Sequence, residues 1–362
     1  MKCETQYEAS YKCKSIISLA VQEGCPLLFR KLPLLSIFLL GTLGVTSCSS
    51  EGAPSRLLAH VVLLDISGSS SNAIGSFSSE NHSPSSLSER QKQLEEKIRN
   101  AILQKTAVYF GFVRSSYGQT EIATLVPASL ILEIDSVLKE DILNEKLSDE
   151  AEKGISKAWG IAIDQERNES NSCSADDVVQ TINASSGGNI SSESAERVAR
   201  KLCSGARNSI YQFSQLQGTA EDETGPKDIG SDIQGAVDRS LQKLASDELR
   251  LINSDGKPVT LIPTIFLVSD LMQIAGGKPK APEVFQVASP QDACTLAKTD
   301  SETFQPTYLG SISLVSDGFA GSIKDVDSSN RDKLMDYWKC WFETRNITDI
   351  DIGSKGIDLG GL

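Results

Sequence analysis

The sequence predicts an α/β fold: a doubly wound, mostly parallel sheet flanked by helices, with a helical insertion. Three observations lead to this prediction: apolar runs that end in an acidic residue, amphipathic helical stretches between those runs, and a long polar stretch in the middle of the chain. A continuous apolar run is typical of a strand buried on both faces of a parallel sheet. Strands that alternate with helices indicate helical layers packed on the sheet.

The 362 residues are 39% hydrophobic and 23% charged, which is ordinary for a globular protein. The formal net charge of −13 repels phosphate backbones, so nucleic acid is not an expected partner. The only histidines are His60 and His82, and neither lies in a metal-binding motif. This composition disfavours zinc sites and catalytic triads that depend on histidine.

The first predicted strand is the apolar run Leu57–Ile66, which is followed by a loop rich in serine, asparagine and glycine. A capping box can start at Ser88, and apolar residues then recur at helical spacing. We therefore predict an amphipathic helix over 88–105. The next two apolar runs predict strands at 108–113 and 123–132.

Residues 133–217 are mostly polar with a helical tendency, and they are too many for a single connection. We predict that they form a helical insertion. The elements predicted beyond it are a helix starting near Ile233, a strand at 261–270, a strand at 308–315 and a helix around Trp338. The aromatic residues of this last helix recur at helical spacing, which favours a stripe facing the core over an adhesive surface.

Four cysteines are spread through the body of the chain without a CxxC motif: Cys173, Cys203, Cys294 and Cys340. An even set of cysteines in an exported protein indicates disulfides. We predict that Cys173 pairs with Cys203 and that Cys294 pairs with Cys340. The alternative is four buried free thiols, because free cysteine packs well as a small hydrophobic residue.

The N-terminal segment has the features of an export signal. Arg30 and Lys31 precede an apolar run, Leu34–Val45, that is too short to span a bilayer. The run leads into Val-Thr-Ser-Cys and resembles a bacterial lipoprotein signal peptide, whose lipobox ends in a cysteine, here Cys48. We expect residues 1–48 to be a signal segment, with translation starting downstream of the first methionine.

The resemblance to a lipoprotein signal implies that Cys48 becomes the lipidated first residue of the mature chain. Residues 49–56 would then form a short polar tether. We expect the folded domain to occupy 57–345 and a C-terminal tail to occupy 346–362. A lipid anchor of this kind implies a place in the bacterial cell envelope, at the outer membrane or the cell surface.

Polar clusters follow two predicted strands and precede one predicted helix. They contain Asp65, Ser67 and Ser69 in the first cluster, Ser231 in the second and Asp270 in the third. Ligands of an open α/β sheet bind outside the carboxyl ends of its strands, so Asp65 and Asp270 are expected at the same edge. Two carboxylates and three hydroxyls form an all-oxygen ligand set, which suits Mg²⁺ or Mn²⁺ better than zinc.

These clusters, in this order, resemble the von Willebrand factor A (vWA) domain with its metal-ion-dependent adhesion site. The resemblance spans the predicted domain apart from the insertion. It implies that Asp65, Ser67 and Ser69 hold the metal. It also implies that Ser231, which stands where the family has threonine, joins them and that Asp270 binds through water.

Two alternative interpretations of these patterns remain open. Asp317 ends a second Val-Ser-Asp sequence and could replace Asp270, although we expect it to end the next strand instead. The cluster at Asp65 could also be a serine-rich turn after a core strand, with no metal.

The expected function is the binding of a partner protein. The domain leaves part of the metal's coordination shell unfilled, so the metal accepts a carboxylate from an aspartate or glutamate of the partner. Since vWA-like domains bind rather than catalyse, we expect no catalytic residues. One alternative is a metal-dependent hydrolase in which Asp65 is a nucleophile or the ion activates water. Another is a structural envelope lipoprotein with a degenerate site. No histidine or lysine is placed as a general base, which disfavours the hydrolase.

Overall fold

The structure is a computed structural model. It describes residues 55–65, 85–113, 121–141, 149–168, 172–186, 190–223, 231–272, 274–275, 278–301, 308–317 and 326–352. Residues 1–54, which comprise the predicted signal segment and most of the predicted tether, lie outside the described residues. The candidate ligands Ser67 and Ser69 also lie outside them.

The strands of the described chain are β1 (Ser55–Asp65), β2 (Thr106–Val113), β3 (Ala123–Val126), β4 (Val259–Val268), β5 (Ile274–Ala275), β6 (Lys278–Pro279), β7 (Ile312–Asp317) and β8 (Ile347–Ile352). Six of them form one sheet in the order β3-β2-β1-β4-β7-β8, and β5 and β6 form a separate pair. All neighbours in the large sheet are parallel except β2 and β3. The prediction of an α/β fold with a mostly parallel sheet is confirmed.

The helices of the described chain are α1 (Ser85–Asn100), α2 (Ala128–Asp141), α3 (Asp149–Arg167), α4 (Ala175–Ser186), α5 (Ser192–Glu223), α6 (Ile233–Glu248), α7 (Lys280–Gln286), α8 (Pro290–Asp300) and α9 (Ser328–Glu343). Helices α2 to α5 lie between β3 and α6 in the chain, where a helical insertion was predicted. Among the described residues, no helix combines the length and the apolar character needed to cross a membrane.

Strands β1 and β2 are largely buried. Every residue of β2 is buried, and so is every residue of β1 from Ala59 to Asp65. Burial on both faces is the reason that their sequences are continuously apolar. Towards the edge, Ile312 and Leu314 of β7 are buried while their neighbours are half-buried, so only one face of this strand is packed.

The prediction of a third strand over 123–132 is wrong beyond Val126. The strand ends there, Pro127 follows, and α2 begins at Ala128. Proline has no amide proton to donate and is tolerated at the start of a helix, so it separates the two elements. Leu130, Ile131 and Ile134 are buried at helical rather than alternating spacing.

The segment that we assigned to a C-terminal tail contains strand β8, which pairs with β7 in parallel. Ile347 and Ile352 are buried at its two ends, while acidic residues between them are exposed. Strand β7 also begins later than predicted, at Ile312. The predicted first residue of that strand, Tyr308, instead donates a hydrogen bond from its hydroxyl to the carbonyl oxygen of Leu261, at 2.6 Å.

Both predicted disulfides are present. Cys173 bonds to Cys203 and ties the segment before α4 to α5. Cys294 bonds to Cys340 and ties α8 to α9. The aromatic residues of α9 face the core as predicted, because Trp338, Trp341 and Phe342 are completely buried. The four cysteines named above are therefore not free thiols.

Candidate metal site at the carboxyl edge of the sheet

The candidate site lies where the strand order of the sheet reverses. Strands β1 and β4 are hydrogen-bonded neighbours, yet the chain continues from β1 to β2 on one side and from β4 to β7 on the other. Asp65 is the last residue of β1, and Asp270 follows the end of β4 by two residues. The register pairs Leu64 with Val268, so the two strands end side by side. In open α/β sheets this reversal opens a crevice in which ligands bind.

Asp65 is completely buried and is held by a serine of the neighbouring strand end. The Ser269 hydroxyl donates a hydrogen bond to Oδ2 of Asp65, with 2.6 Å between the oxygens. The same Ser269 Oγ accepts a hydrogen bond from the amide of Leu271, at 3.1 Å. The Ser269 amide donates to the carbonyl oxygen of Asp317, at 2.8 Å. Ser269 therefore connects the ends of β1, β4 and β7.

Asp270 is also completely buried, and its Oδ1 accepts a hydrogen bond from the amide of Met272, at 2.9 Å. The residue between them, Leu271, has a φ of 58°, in the left-handed region that leucine rarely adopts. Its carbonyl oxygen accepts a hydrogen bond from Nε1 of Trp338 in α9, at 2.8 Å. The backbone turn that presents Asp270 is thus maintained by the core helix α9, at a conformational cost typical of functional sites.

Ser231 and Asp232 lie at the start of α6. Asp232 is the N-cap of this helix, and its carboxylate accepts a hydrogen bond from the amide of Gly235, at 3.0 Å. The hydroxyl of Ser231 is buried and has no hydrogen-bond partner among the described residues. A buried hydroxyl without a partner is costly, so this oxygen fits a ligand or water that completes its environment.

Asp317 ends β7, as expected, with its Cα paired to that of Val268. Strand β4 separates it from β1, so Asp270 rather than Asp317 follows the strand that adjoins Asp65. This arrangement favours Asp270 for a site shared with Asp65. The residue before Asp317, Ser316, also has a buried hydroxyl without a hydrogen-bond partner in the described part of the chain.

The structure brings Asp65 and Asp270 to one edge of the sheet, whereas Ser67 and Ser69 lie outside the described residues. Within the described ranges, no group of three or more histidine, cysteine, aspartate or glutamate side chains could hold a metal. The predicted ligand set contains only two carboxylates and takes its other oxygens from serine hydroxyls. The metal site therefore remains a prediction.

The structural role of Ser269 was not predicted, although the polar cluster that contains its neighbour Asp270 was identified. Its hydroxyl reaches Asp65 because β1 and β4 are parallel neighbours, and a single sequence does not reveal which strands pair. The signal available was a hydroxyl residue directly after a buried strand.

The sequence matches no protein-family model, and no curated protein matches it either.

Proposed function

We propose that this chain is a lipid-anchored protein of the bacterial cell envelope whose vWA-like, doubly wound domain binds a partner protein through a divalent metal. The metal is Mg²⁺ or Mn²⁺, and the partner supplies an acidic residue. The proposed ligands are Asp65, Ser67, Ser69, Ser231 and Asp270. The observation that carries the proposal is that Asp65 and Asp270 follow neighbouring strands where the strand order reverses.

The strand order supports a doubly wound fold. From the central pair β1 and β4, the sheet grows through β2 on one side and β7 on the other, which is the pattern of such folds. The antiparallel β3 is an edge strand, a common departure in sheets that are otherwise parallel. These features agree with a vWA-like domain.

The chemistry of the buried groups supports a cation at this edge. Two completely buried carboxylates, on Asp65 and Asp270, are costly to desolvate unless hydrogen bonds and a positive charge compensate them. The hydroxyl of Ser231 adds a neutral oxygen ligand. Mg²⁺ prefers oxygen ligands in an octahedral arrangement and keeps several waters, so a partner carboxylate can complete its coordination.

The first test measures metal binding by the full chain itself. Titration with Mn²⁺, followed by electron paramagnetic resonance, should show a site that weakens at least about tenfold in Asp65→Ala, because the variant loses a charged ligand. The matched control is Asp255→Ala, since Asp255 is an exposed aspartate in the turn before β4. Equal Mn²⁺ affinity in Asp65→Ala and the control contradicts the proposed ligand set.

The second test measures partner capture from an envelope extract with and without EDTA. We expect capture by the wild-type chain to disappear with EDTA and with Asp65→Ala, and to persist with Asp255→Ala. Capture that is unaffected by EDTA would show that adhesion does not depend on the metal. Two further variants test whether Asp317 replaces Asp270 as a metal ligand. Asp317→Asn should leave Mn²⁺ binding unchanged, whereas Asp270→Asn should weaken it.

A further inference from the structure

Exposed apolar side chains are concentrated at the amino edge of the sheet, opposite the candidate metal site. In the described residues, the exposed large hydrophobic side chains near this edge are Leu58, Leu103, Leu249, Ile252, Ile262 and Leu309. Leu249 and Leu309 are 88% and 82% exposed. Another exposed residue of this kind, Tyr211, lies in α5 rather than at this edge. Single exposed hydrophobic residues are ordinary, but their concentration in one region indicates an interaction surface.

Hydrogen bonds hold the segments of this edge together. Nδ2 of Asn253 donates to Oγ of Ser55, at 2.7 Å, and so fixes the turn before β4 to the start of β1. The Tyr308 hydroxyl donates to Oε2 of Glu248, at 2.9 Å, which brings the residues that follow each of them, Leu309 and Leu249, to the same region. Leu58 and Ile262 are register partners on neighbouring strands. The apolar residues thus belong to one ordered region.

The exposed charges beside Leu249 and Ile252 are mainly basic, whereas the exposed acids Glu343 and Asp349 lie near the start of β8. Arg56, Arg250 and Lys257 are exposed, and the exposed acid in the same turn is Asp255. The nearby Glu248 carboxylate is already used, because it accepts hydrogen bonds from the Leu261 amide and the Tyr308 hydroxyl. Basic residues beside exposed leucines complement anionic lipid headgroups.

Strand β1 also begins at this edge. Ser55, the first residue of β1, follows Cys48 by seven positions, a length of chain that reaches at most about 25 Å. A lipid on Cys48 would therefore keep the amino edge of the sheet close to the membrane. The candidate metal site lies at the other end of β1, about 35 Å away for a strand of 11 residues.

We propose that the amino edge of the sheet is a membrane-contact surface at which Leu249, Ile252 and Leu309 enter the interface of an anionic phospholipid bilayer. This inference rests on the lipid anchor at Cys48 in the proposed function. A single lipidated residue provides part of the membrane affinity. Contact at this edge adds apolar burial and electrostatic attraction to that affinity. It also directs the opposite edge, with Asp65 and Asp270, towards a partner outside the bilayer.

The test uses tryptophan as a local reporter in the full chain, reconstituted in vesicles of phosphatidylethanolamine and phosphatidylglycerol with brominated acyl chains. The three native tryptophans are completely buried and give the same background in every variant. We expect the brominated lipid to quench the added emission in Leu249→Trp and in Leu309→Trp. The matched control is Tyr211→Trp, at an exposed position on α5, whose added emission should keep its intensity.

Equal quenching of the Leu249→Trp and Tyr211→Trp variants would overturn the proposal. So would an emission that depends on protein concentration and not on lipid, because that result assigns the surface to a second copy of the chain. In vesicles of phosphatidylcholine alone we expect weaker quenching, and unchanged quenching would refute the role of the basic residues. Quenching requires no divalent metal, so its failure is distinguishable from the failure of EDTA-sensitive partner capture.

Discussion

The carboxylate of Asp65 is completely buried, and the Ser269 hydroxyl compensates part of its lost hydration through a hydrogen bond of 2.6 Å. Because Ser269 Oγ also accepts the amide of Leu271, one hydroxyl maintains both the Asp65 carboxylate and the turn after β4. Ser269 is therefore a positioning residue for the candidate site.

The Ser269→Ala variant should lose both hydrogen bonds and leave the Asp65 carboxylate less compensated. We expect the free energy of unfolding to fall by about 1–3 kcal/mol. Urea unfolding measures the change, and a Mn²⁺ titration should show weaker binding in the same variant. The control is Ser311→Ala, which removes an exposed hydroxyl that contacts Thr348. If the two variants are equally stable and bind Mn²⁺ equally, Ser269 has no positioning role.

His60 is buried in β1, with its ring against the edge of Phe266 at 5.2 Å between centroids. Burial in this apolar environment, assisted by the nearby charge of Lys97, lowers the pKa of His60 from 6.5 to about 3. The histidine is therefore neutral in the folded protein well below neutral pH. It belongs to the core and not to the candidate site.

This depressed pKa predicts a loss of stability in acid. Below pH 6.5 the unfolded chain binds a proton at His60 and the folded chain does not, so stability falls as the pH decreases towards 3. Between pH 7 and pH 5 the contribution is about 2 kcal/mol. Urea unfolding at both pH values should show a smaller decrease, by that amount, for His60→Asn than for the wild type. An identical decrease in both proteins contradicts the assignment.

Helix α6 illustrates how one element depends on a close contact at its first turn. The Asp232 carboxylate caps this helix, and a Cβ atom at Gly235 would lie 2.0 Å from Oδ2 of Asp232. Only glycine leaves room for the cap at this position. Ser231 directly precedes this turn. The cap therefore also fixes the position of this candidate ligand relative to the start of the helix.

The Gly235→Ala variant should displace the Asp232 carboxylate and lower the free energy of unfolding by about 1–2 kcal/mol, the usual cost of losing a cap. The matched control is Gly160→Ala in α3, where the added Cβ would meet no atom closer than 3.4 Å. Glycine is unfavourable inside a helix, so this control should gain about 0.5–1 kcal/mol. Thermal and urea unfolding measure both changes, and equal stabilisation would contradict the role of the cap.

The disulfide between Cys173 and Cys203 joins two parts of the helical insertion that are 30 residues apart in sequence. Removing it with Cys173→Ala and Cys203→Ala should lower the free energy of unfolding by about 3 kcal/mol, mainly because the unfolded chain gains freedom. Thiol alkylation of the denatured wild type without reductant should leave all four paired cysteines unmodified. Alkylation of any of the four would refute the corresponding disulfide.

At the level of elements, the sequence predicts the buried strands and amphipathic helices better than the edges of the sheet. The apolar run that contains β3 continues into α2, and a short apolar run does not distinguish a strand from a buried helix. Strand β8 was missed because its sequence, Ile347–Ile352, contains acidic residues on the exposed face. An edge strand needs only partial burial, so its pattern is weak.

For the whole molecule, the proposed membrane anchor depends on a single residue, Cys48. The Cys48→Ala variant should leave the precursor uncleaved and without a lipid, because the thiol is the proposed acylation site. Metabolic labelling with palmitate, followed by fractionation of the envelope, measures the result. Label that persists in Cys48→Ala would show that the anchor lies elsewhere or is absent.

The sequence by itself determined the α/β class, the helical insertion, the disulfide pairs as one choice among several, and the acids that end strands. Local periodicity and composition carry that information. Only the tertiary structure decided that β1 and β4 are neighbours, which brings Ser269 within 2.6 Å of Asp65 across 204 residues of sequence. It also decided that exposed leucines gather at the opposite edge. Strand order depends on how the whole chain packs, and no local pattern specifies it.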